Sequence, residues 1–258
     1  MKHLLSLEAI SGTDMRLILD RVAGFKRDRA THARPLTGQT WALIFSKSST
    51  RTRVSFEVGL RELGAQVLFL NAGDIQLGRG EPITGKTVTF VGDAACNVPV
   101  SWIWAAARLG FTLRLAAPRA YWPAEAIVKR AAAGGAMPWS GYHEAQVVER
   151  LEIGSGMLEL LTDLNLAARQ ADLLYTDVWV SMGKEAESAQ RLTDLAGYQI
   201  NADLVKLAKR GALVMHCLPA YRGKEIDEAT FEAHADTIFT QAENRLHTQK
   251  AIVDWMVG

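Results

Sequence analysis

The sequence predicts an α/β protein in which helices cover both faces of parallel β-sheets, the doubly wound arrangement. Short segments rich in β-branched and aliphatic residues alternate along the chain with segments whose apolar residues recur at helical spacing. Glycines close several of the helical segments. Polar residues follow directly after several strand-like segments, and doubly wound proteins bind their ligands at that edge of the sheet.

Strands and helices are predicted in alternation for most of the chain. The first helix is expected to start at a Thr13 cap, and Pro123 is expected in the first turn of another helix. Gly64 and Gly110 are expected to end two of the helices. The predicted strands are 40–46, 66–70, 87–93, 112–118, 171–180, 212–220 and 237–243. The predicted helices are 13–30, 53–64, 98–110, 123–135, 201–211 and 245–257.

Length, composition and charge are those of an ordinary globular protein. The 258 residues suffice for one large or two small domains, and 48% of them are hydrophobic and 22% charged. The net charge is +1 with Lys and Arg spread along the chain, which argues against nucleic-acid and membrane partners. No apolar run approaches the roughly 18 residues of a membrane span, and the first residues do not resemble a secretory signal. We therefore expect a cytoplasmic protein.

The cysteines and histidines do not indicate a metal site. Cys96 and Cys217 lie far apart in unlike surroundings, and neither has the spacing of a metal ligand. The six histidines are scattered along the chain. We expect no disulfide framework, no metal and no cofactor.

Residues 80–87, GEPITGKT, satisfy the phosphate-binding pattern G-x-x-x-x-G-K-[ST]. The pattern binds nucleotides only between a buried strand and a helix whose N-terminus faces the phosphates. Here a polar, glycine-rich stretch precedes it and the strand-like TVTFVGD follows it. We expect a loop that leads into a strand. A P-loop nucleotide hydrolase remains an alternative, and it predicts that Lys86→Ala abolishes ATP binding.

The first polar strand end is the run from Ser46 to Arg53, which precedes an apolar helix. Hydroxyls, two guanidinium groups and the N–H groups of a helix N-terminus would converge there, and together they favour a compact anion such as phosphate. The alternative is a solvated helix cap.

Two further strand ends carry groups that could act in catalysis. His216 and Cys217, in HCLPAYRG, place an imidazole and a thiol at the sheet edge. The alternative is a purely structural role, with a histidine whose hydrogen bonds are made within the protein and a buried cysteine. Asp177, in TDVWVSMG, could hold an ammonium group or form an Asx turn. Asn97 follows VGD in a similar position, where the lack of a G-x-G-x-x-G run argues against a dinucleotide.

Four ordered blocks, SSTRTRVSFE, TDVWVSMG, HCLPA and QAENRLHTQKAIV, resemble the signatures of the aspartate/ornithine carbamoyltransferase family. The S-M-G and H-C-L-P blocks are similar to its ornithine branch. The resemblance covers nearly the whole chain. It implies an enzyme that transfers the carbamoyl group of carbamoyl phosphate to the δ-amino group of L-ornithine, giving L-citrulline and phosphate in arginine metabolism.

The resemblance implies two doubly wound parallel-sheet domains, assembled as a homotrimer. Residues 1–83, completed by a C-terminal helix at 242–258, would bind carbamoyl phosphate, and residues 86–239 would bind ornithine. Among close analogues of the acceptor, free ornithine is favoured because Asp177 suits an uncapped α-ammonium group.

The same resemblance assigns roles to individual residues. Phosphate would be bound by Ser49, Thr50, Arg51 and Thr52, the carbonyl oxygen by Arg245, and a neighbouring subunit's site would be reached by Gln76. The α-amino and carboxylate groups of ornithine would be held by Asn97, Asp177, Ser181 and Met182. Cys217 with Asp177 would present the δ-amino group, and the Leu218 carbonyl would contact the carbamoyl nitrogen.

The chain departs from the family pattern after Ile83, where two strand–helix units and a helix bearing H-P-C-Q are missing. At roughly thirty residues per unit, the gap is on the order of sixty residues. It would truncate the first domain to two strands and remove an Arg, a His and a Gln that contact the carbamoyl group. Two outcomes follow: a transferase of impaired activity, or an inactive remnant that binds an ornithine-like amino acid.

Overall fold

The computed structural model describes residues 4, 6–29, 31–43, 50–69, 83–133, 141, 148–181 and 183–257. The chain divides into a first unit, Met1–Glu81 with Thr240–Gly258, and a second unit, Pro82–Phe239. The strands are β1 Thr40–Leu43, β2 Gln66–Phe69, β3 Thr87–Val91, β4 Thr112–Ala116, β5 Val148–Ile153, β6 Gly156–Leu161, β7 Leu173–Thr176 and β8 Leu213–His216. The α-helices are α1 Gly12–Arg27, α2 Thr50–Glu62, α3 Asn97–Leu109, α4 Glu125–Ala132, α5 Leu164–Ala168, α6 Ser188–Asp194, α7 Ala202–Leu207, α8 Glu228–Ala233 and α9 Ala235–Val257.

The sheet of the first unit consists, in its described part, of the parallel strands β1 and β2. Helix α2 connects them and ends just before Gly64, whose φ of +98° suits glycine. Leu36, Leu60 and Leu63 are fully buried in this unit. The prediction of an α/β fold is thus confirmed, and the two strands predicted for the first sheet are present in its described part.

The cap of helix α1 lies two residues earlier than predicted. The side chain of Ser11 accepts a hydrogen bond from the backbone N–H of Asp14, so Ser11 is the cap and Thr13 already lies inside the helix. The predicted Thr13 cap is therefore wrong. The buried face of α1 consists of Met15, Ile18, Val22 and Phe25, at the spacing of an amphipathic helix.

The sheet of the second unit has the strand order β5-β6-β4-β3-β7-β8 within the described residues. From β3 the chain proceeds to β4 and β6 on one side, and then returns to β7 and β8 on the other. The point between β3 and β7, where the direction reverses, is the switch point at which such sheets bind ligands. Phe90, Leu115, Leu174 and Val214 are completely buried in the core around this sheet.

The antiparallel hairpin of β5 and β6 was not predicted. Two features of this stretch are typical of a hairpin. Burial alternates along VERLEI, and the turn at 154–156 consists of small residues. At Gly156, an added Cβ would lie 2.3 Å from the backbone oxygen of Ala106. No larger residue fits there without a shift of α3.

Two other predicted elements are wrong. Residues 237–243 are not a strand but part of α9, in which Ile238 is fully buried and its N–H bonds to the His234 carbonyl. The β-branched residues of TIFT favour a strand locally, but their continuity with a long helix outweighs that preference. Pro123 lies outside α4, whose cap is Ala124. Among the described residues, no helix is long and apolar enough to cross a membrane.

Candidate active site

Three polar strand ends of the second unit meet at one edge of its sheet. Val91 of β3 lies opposite Thr176 of β7, and Thr176 lies opposite His216 of β8. Asp177 and Cys217 each come directly after these paired residues, on adjacent strands. Their side chains therefore belong to the edge at the switch point.

Asp177 and Cys217 are in direct contact. The Cys217 thiol donates a hydrogen bond to Asp177 Oδ1 over 2.8 Å, and the N–H of Val178 donates to the same oxygen over 2.7 Å. Both side chains are half-buried. The pair places a carboxylate, able to hold an amine, beside a thiol that orients it.

The turn that carries Cys217 is held by a buried histidine. The N–H of Leu218 donates to Nδ1 of His216 over 2.8 Å, so the ring proton lies on Nε2, which is 3.2 Å from Oε1 of Glu225. Both His216 and Glu225 are completely buried. Leu218 has a φ of +59°, and its peptide bond to Pro219 is cis. The imidazole fixes the backbone that flanks the thiol.

Cys96 and Asn97 lie at the same edge, where α3 begins after β3. Burial raises the pKa of the Cys96 thiol well above its ordinary value, and the carboxylates of Asp177 and Asp93 raise it further. The thiol therefore stays protonated at neutral pH. Asn97 is the first residue of α3 and is exposed.

A buried ion pair, which the sequence did not indicate, adjoins this edge. Arg191 of α6 donates to Asp93 over 2.6 Å and to Glu187 over 2.8 Å, and its guanidinium lies 5.3 Å from the ring centre of Tyr121. Burial acts to lower the pKa of Arg191, but the hydrogen bonds to Asp93 and Glu187 outweigh it and the pKa is raised. Asp93 and Arg191 are 98 positions apart, so no local motif could reveal the pair.

The first unit brings together two residues predicted to bind carbamoyl phosphate, Thr52 at its phosphate and Arg245 at its carbonyl oxygen. Arg245 of α9 donates a hydrogen bond to the hydroxyl of Thr52 in the first turn of α2. Both are buried, at 3% and 1% exposure, whereas Arg51 is exposed. A cation and a hydroxyl thus lie at the N-terminus of a helix, a combination suited to an anion.

The structure does not describe several of the predicted site residues, or does not describe their side chains. Ser49, Gln76 and Met182 are outside the described residues. Thr50 begins α2, but its side chain is not described. Ser181 is half-buried in the segment after β7.

The described part of the nucleotide-binding pattern, residues 83–87, leads into a strand and not into a helix. Lys86 leads directly into β3, and the pattern ends in that strand at Thr87. The N–H of Gly85 donates to the Gly110 carbonyl over 2.8 Å, and the N–H of Thr87 donates to Asp172 over 2.8 Å. These donors are used within the protein, so the described part of the motif is a loop into a strand, as expected.

Both halves of the chain match sequence profiles of one family. Residues 84–256 match the profile described as aspartate/ornithine carbamoyltransferase, Asp/Orn binding domain. Residues 2–96 match the profile described as aspartate/ornithine carbamoyltransferase, carbamoyl-P binding domain.

Curated relatives and solved structures agree with these matches. The chain is 37% identical to the ornithine carbamoyltransferase of Akkermansia muciniphila, covering 98% of this chain and 97% of the relative. The structure of ornithine carbamoyltransferase from Pyrococcus furiosus superposes with a TM-score of 0.82 at 32% identity, covering 100% of this chain and 97% of that one. The anabolic enzyme from Campylobacter jejuni gives a TM-score of 0.80 at 28% identity, with 99% of each chain covered.

The alignments also reveal the gap. The alignment with the Akkermansia muciniphila relative is 318 residues long, whereas this chain has 258, so at least 60 aligned positions lack a counterpart here. The resemblance inferred from the four sequence blocks is confirmed, and the chain belongs to the aspartate/ornithine carbamoyltransferase family.

Proposed function

We propose that this chain transfers the carbamoyl group of carbamoyl phosphate to the δ-amino group of L-ornithine, producing L-citrulline and phosphate. The observation that carries the proposal is the Asp177–Cys217 contact at the switch point of the second sheet. A carboxylate at such a point can hold an amine, and the unit that carries it matches the Asp/Orn binding profile.

The first unit supplies the anion site in this proposal. Ser49, Thr50, Arg51 and Thr52 bind the phosphate, and Arg245 binds the carbonyl oxygen. The support is the contact of Arg245 with Thr52 at the N-terminus of α2. When an amine attacks the carbonyl, negative charge grows on the carbonyl oxygen and on the leaving phosphate, and buried donors stabilise it. The domain that binds carbamoyl phosphate is proposed to be 1–83 with 242–258.

The second domain, 86–239, binds the amino acid. Asp177, Asn97, Ser181 and Met182 hold its α-amino and carboxylate groups. Cys217, together with Asp177, presents the δ-amino group, and the carbonyl of Leu218 binds the carbamoyl nitrogen. The reaction needs a neutral amine in attack geometry, and fixing both substrates contributes about 7 to 11 kcal/mol by the proximity argument. No covalent enzyme intermediate is needed.

The segment that is missing after Ile83 lowers the expected rate of carbamoyl transfer. The family resemblance places an Arg, a His and a Gln that contact the carbamoyl group in the part that this chain lacks. Each lost donor costs roughly 100-fold, so turnover is expected to be at least about 100-fold below that of a full-length relative. The same gap favours a second candidate function, in which the second domain binds ornithine without turnover.

The assembly and cellular setting form a further part of the proposal. A homotrimer, in which Gln76 reaches a neighbouring subunit's site, would complete the truncated first domain. The reaction would serve arginine metabolism in the cytoplasm.

Acceptor competition tests the proposed reaction. The purified chain is incubated with carbamoyl phosphate and either L-ornithine, putrescine or N-acetyl-L-ornithine, and the carbamoylated products are quantified. We expect product from ornithine and at least tenfold less from the other two amines. Equal product from N-acetyl-L-ornithine would contradict the role of Asp177, because acetylation removes the α-ammonium charge. Ornithine binding without any product would establish the second candidate function.

A further inference from the structure

The segment that follows β7 carries much of the proposed ornithine site, and it is contacted by an arginine, Arg191, that has no role in that site. Residues 177–187 run from Asp177 through Ser181 to a short 3₁₀ helix, Glu185–Glu187. Helix α6 follows directly, with Arg191 facing back toward the segment. None of the roles proposed above involves Arg191.

Arg191 joins this segment to the neighbouring strand. Its Nη1 donates to Oδ2 of Asp93 over 2.6 Å and to the backbone oxygen of Trp179 over 3.4 Å, and its Nε donates to Glu187 over 2.8 Å. Asp93 comes two residues after β3 and Trp179 three residues after β7. One guanidinium therefore spans the two strands on either side of the switch point.

The environment makes this link stronger than a surface ion pair. The side chains of Arg191 and Asp93 are 9% and 6% exposed, so water screens their attraction little. Asp93 is itself held by the N–H of Ala95, which donates to Oδ1 over 3.0 Å. The Trp179 ring packs beside Gly92, since a Cβ added at Gly92 would lie 3.7 Å from it, an ordinary van der Waals distance. The segment is thus packed and hydrogen-bonded against the end of β3.

We propose that Arg191 is a positioning residue for the amino-acid substrate, holding the segment 177–181 so that Asp177 and Ser181 face one ligand. The inference rests on the proposed function, since it assumes that ornithine binds at this segment. Only a guanidinium can serve all three acceptors at once, because its donors form a planar fork, whereas an ammonium group is a point charge. Arg191→Lys is therefore expected to restore the positioning only in part.

The chain offers a matched control. Arg222 also pairs with two carboxylates, those of Glu228 and Glu232, and its guanidinium lies 4.5 Å from the ring centre of Phe231. Its side chain is 42% exposed, and its ion pairs among the described residues are with Glu228 and Glu232, outside the segment after β7. Arg222→Gln thus removes an arginine of similar local chemistry.

Two measurements on the full chain separate the inference from the proposed function. The first is the rate of tryptic cleavage after Lys184, followed by mass spectrometry, because Lys184 is 47% exposed and lies between the held residues and Glu187, which Arg191 also binds. The second is the dissociation constant for L-ornithine by calorimetry. We expect Arg191→Gln to raise both about tenfold, Arg191→Lys to give intermediate values, and Arg222→Gln to match the unmodified chain.

Unchanged ornithine affinity in a folded Arg191→Gln or Arg191→Lys variant would overturn the inference, even if cleavage is faster. Equal losses in the Arg191 and Arg222 variants would also overturn it, since they would indicate general destabilisation. If the unmodified chain fails to bind ornithine, the proposed function fails. The cleavage rate after Lys184 then decides by itself whether Arg191 holds the segment.

Discussion

The thiol of Cys217 donates a 2.8 Å hydrogen bond to the carboxylate of Asp177, although the two residues are 40 positions apart. They meet because β7 and β8 are parallel neighbours whose ends are in register. Two residues that are far apart in the sequence thus form one polar pair at the sheet edge. The proposed ornithine site depends on this pair more than on any other described contact.

Asp177→Asn tests the charge of the pair. Asparagine keeps the size and can still accept the Cys217 thiol, but it cannot neutralise an ammonium group. Since a hydrogen bond to a charged group contributes about 1.5 to 3 kcal/mol, we expect ornithine affinity to fall roughly 10- to 100-fold by calorimetry. The control is Asp203→Asn, because the Asp203 side chain is 89% exposed and pairs only with Lys206 in the described structure. Unchanged affinity in Asp177→Asn would remove this residue from the site.

Thr52→Val tests the buried contact in the first unit. The change removes the hydroxyl that accepts from Arg245 and leaves the shape nearly unchanged. Because a buried donor that loses a partner costs about 1 to 3 kcal/mol, the free energy of unfolding should fall by that amount in urea titrations. Thr193→Val, at an exposed position of α6, should leave it within about 0.5 kcal/mol. Equal stability of the two variants would mean that the Thr52 contact contributes nothing.

Lys250→Met tests a second buried cation of α9. Lys250 is 1% exposed, and its Nζ lies 2.6 Å from Glu62 and 2.6 Å from Nε2 of His32. Removing the charge takes the buried cation from Glu62 and leaves it the more exposed Arg29, 3.1 Å away, so we expect a loss of roughly 2 to 4 kcal/mol in unfolding free energy. The double variant Lys250→Met with Glu62→Gln should recover much of it, since the carboxylate is then neutral and the Arg29 side chain, 51% exposed, stays in contact with water. No recovery would show that Lys250 stabilises the unit by packing and not by its charge.

Stability should depend on pH through two histidines. Burial lowers the pKa of His234 and of His247 below the ordinary value near 6.5. Below about pH 6.5 the unfolded state therefore binds more protons than the folded state, and the free energy of unfolding falls as the pH falls. Urea titrations at pH 7.5 and 5.5 should show this decrease, and His247→Gln should reduce it. The same decrease in His247→Gln would contradict the assignment to His247.

The sequence predicted the α/β fold and the polar strand ends because these depend on local pattern. A strand-forming segment followed by Asp177 or Cys217 indicates a polar strand end at the edge of a parallel sheet, and this prediction does not require the order of the strands. The Arg191–Asp93 pair could not be predicted, since it joins residues that only the strand order brings together. The helical conformation of 237–243 was missed because β-branched residues favour a strand locally, while the long helix α9 decides the outcome.

The most direct test of the proposed function is citrulline formation from carbamoyl phosphate and L-ornithine by the purified chain, beside the full-length enzyme of Akkermansia muciniphila. We predict slow turnover, at least about 100-fold below that enzyme, which Arg51→Ala abolishes. Arg27→Ala, at an exposed position in the same unit, should leave it unchanged. Turnover near that of the full-length enzyme would contradict the role given to the missing segment, and turnover that survives Arg51→Ala would contradict the proposed phosphate site.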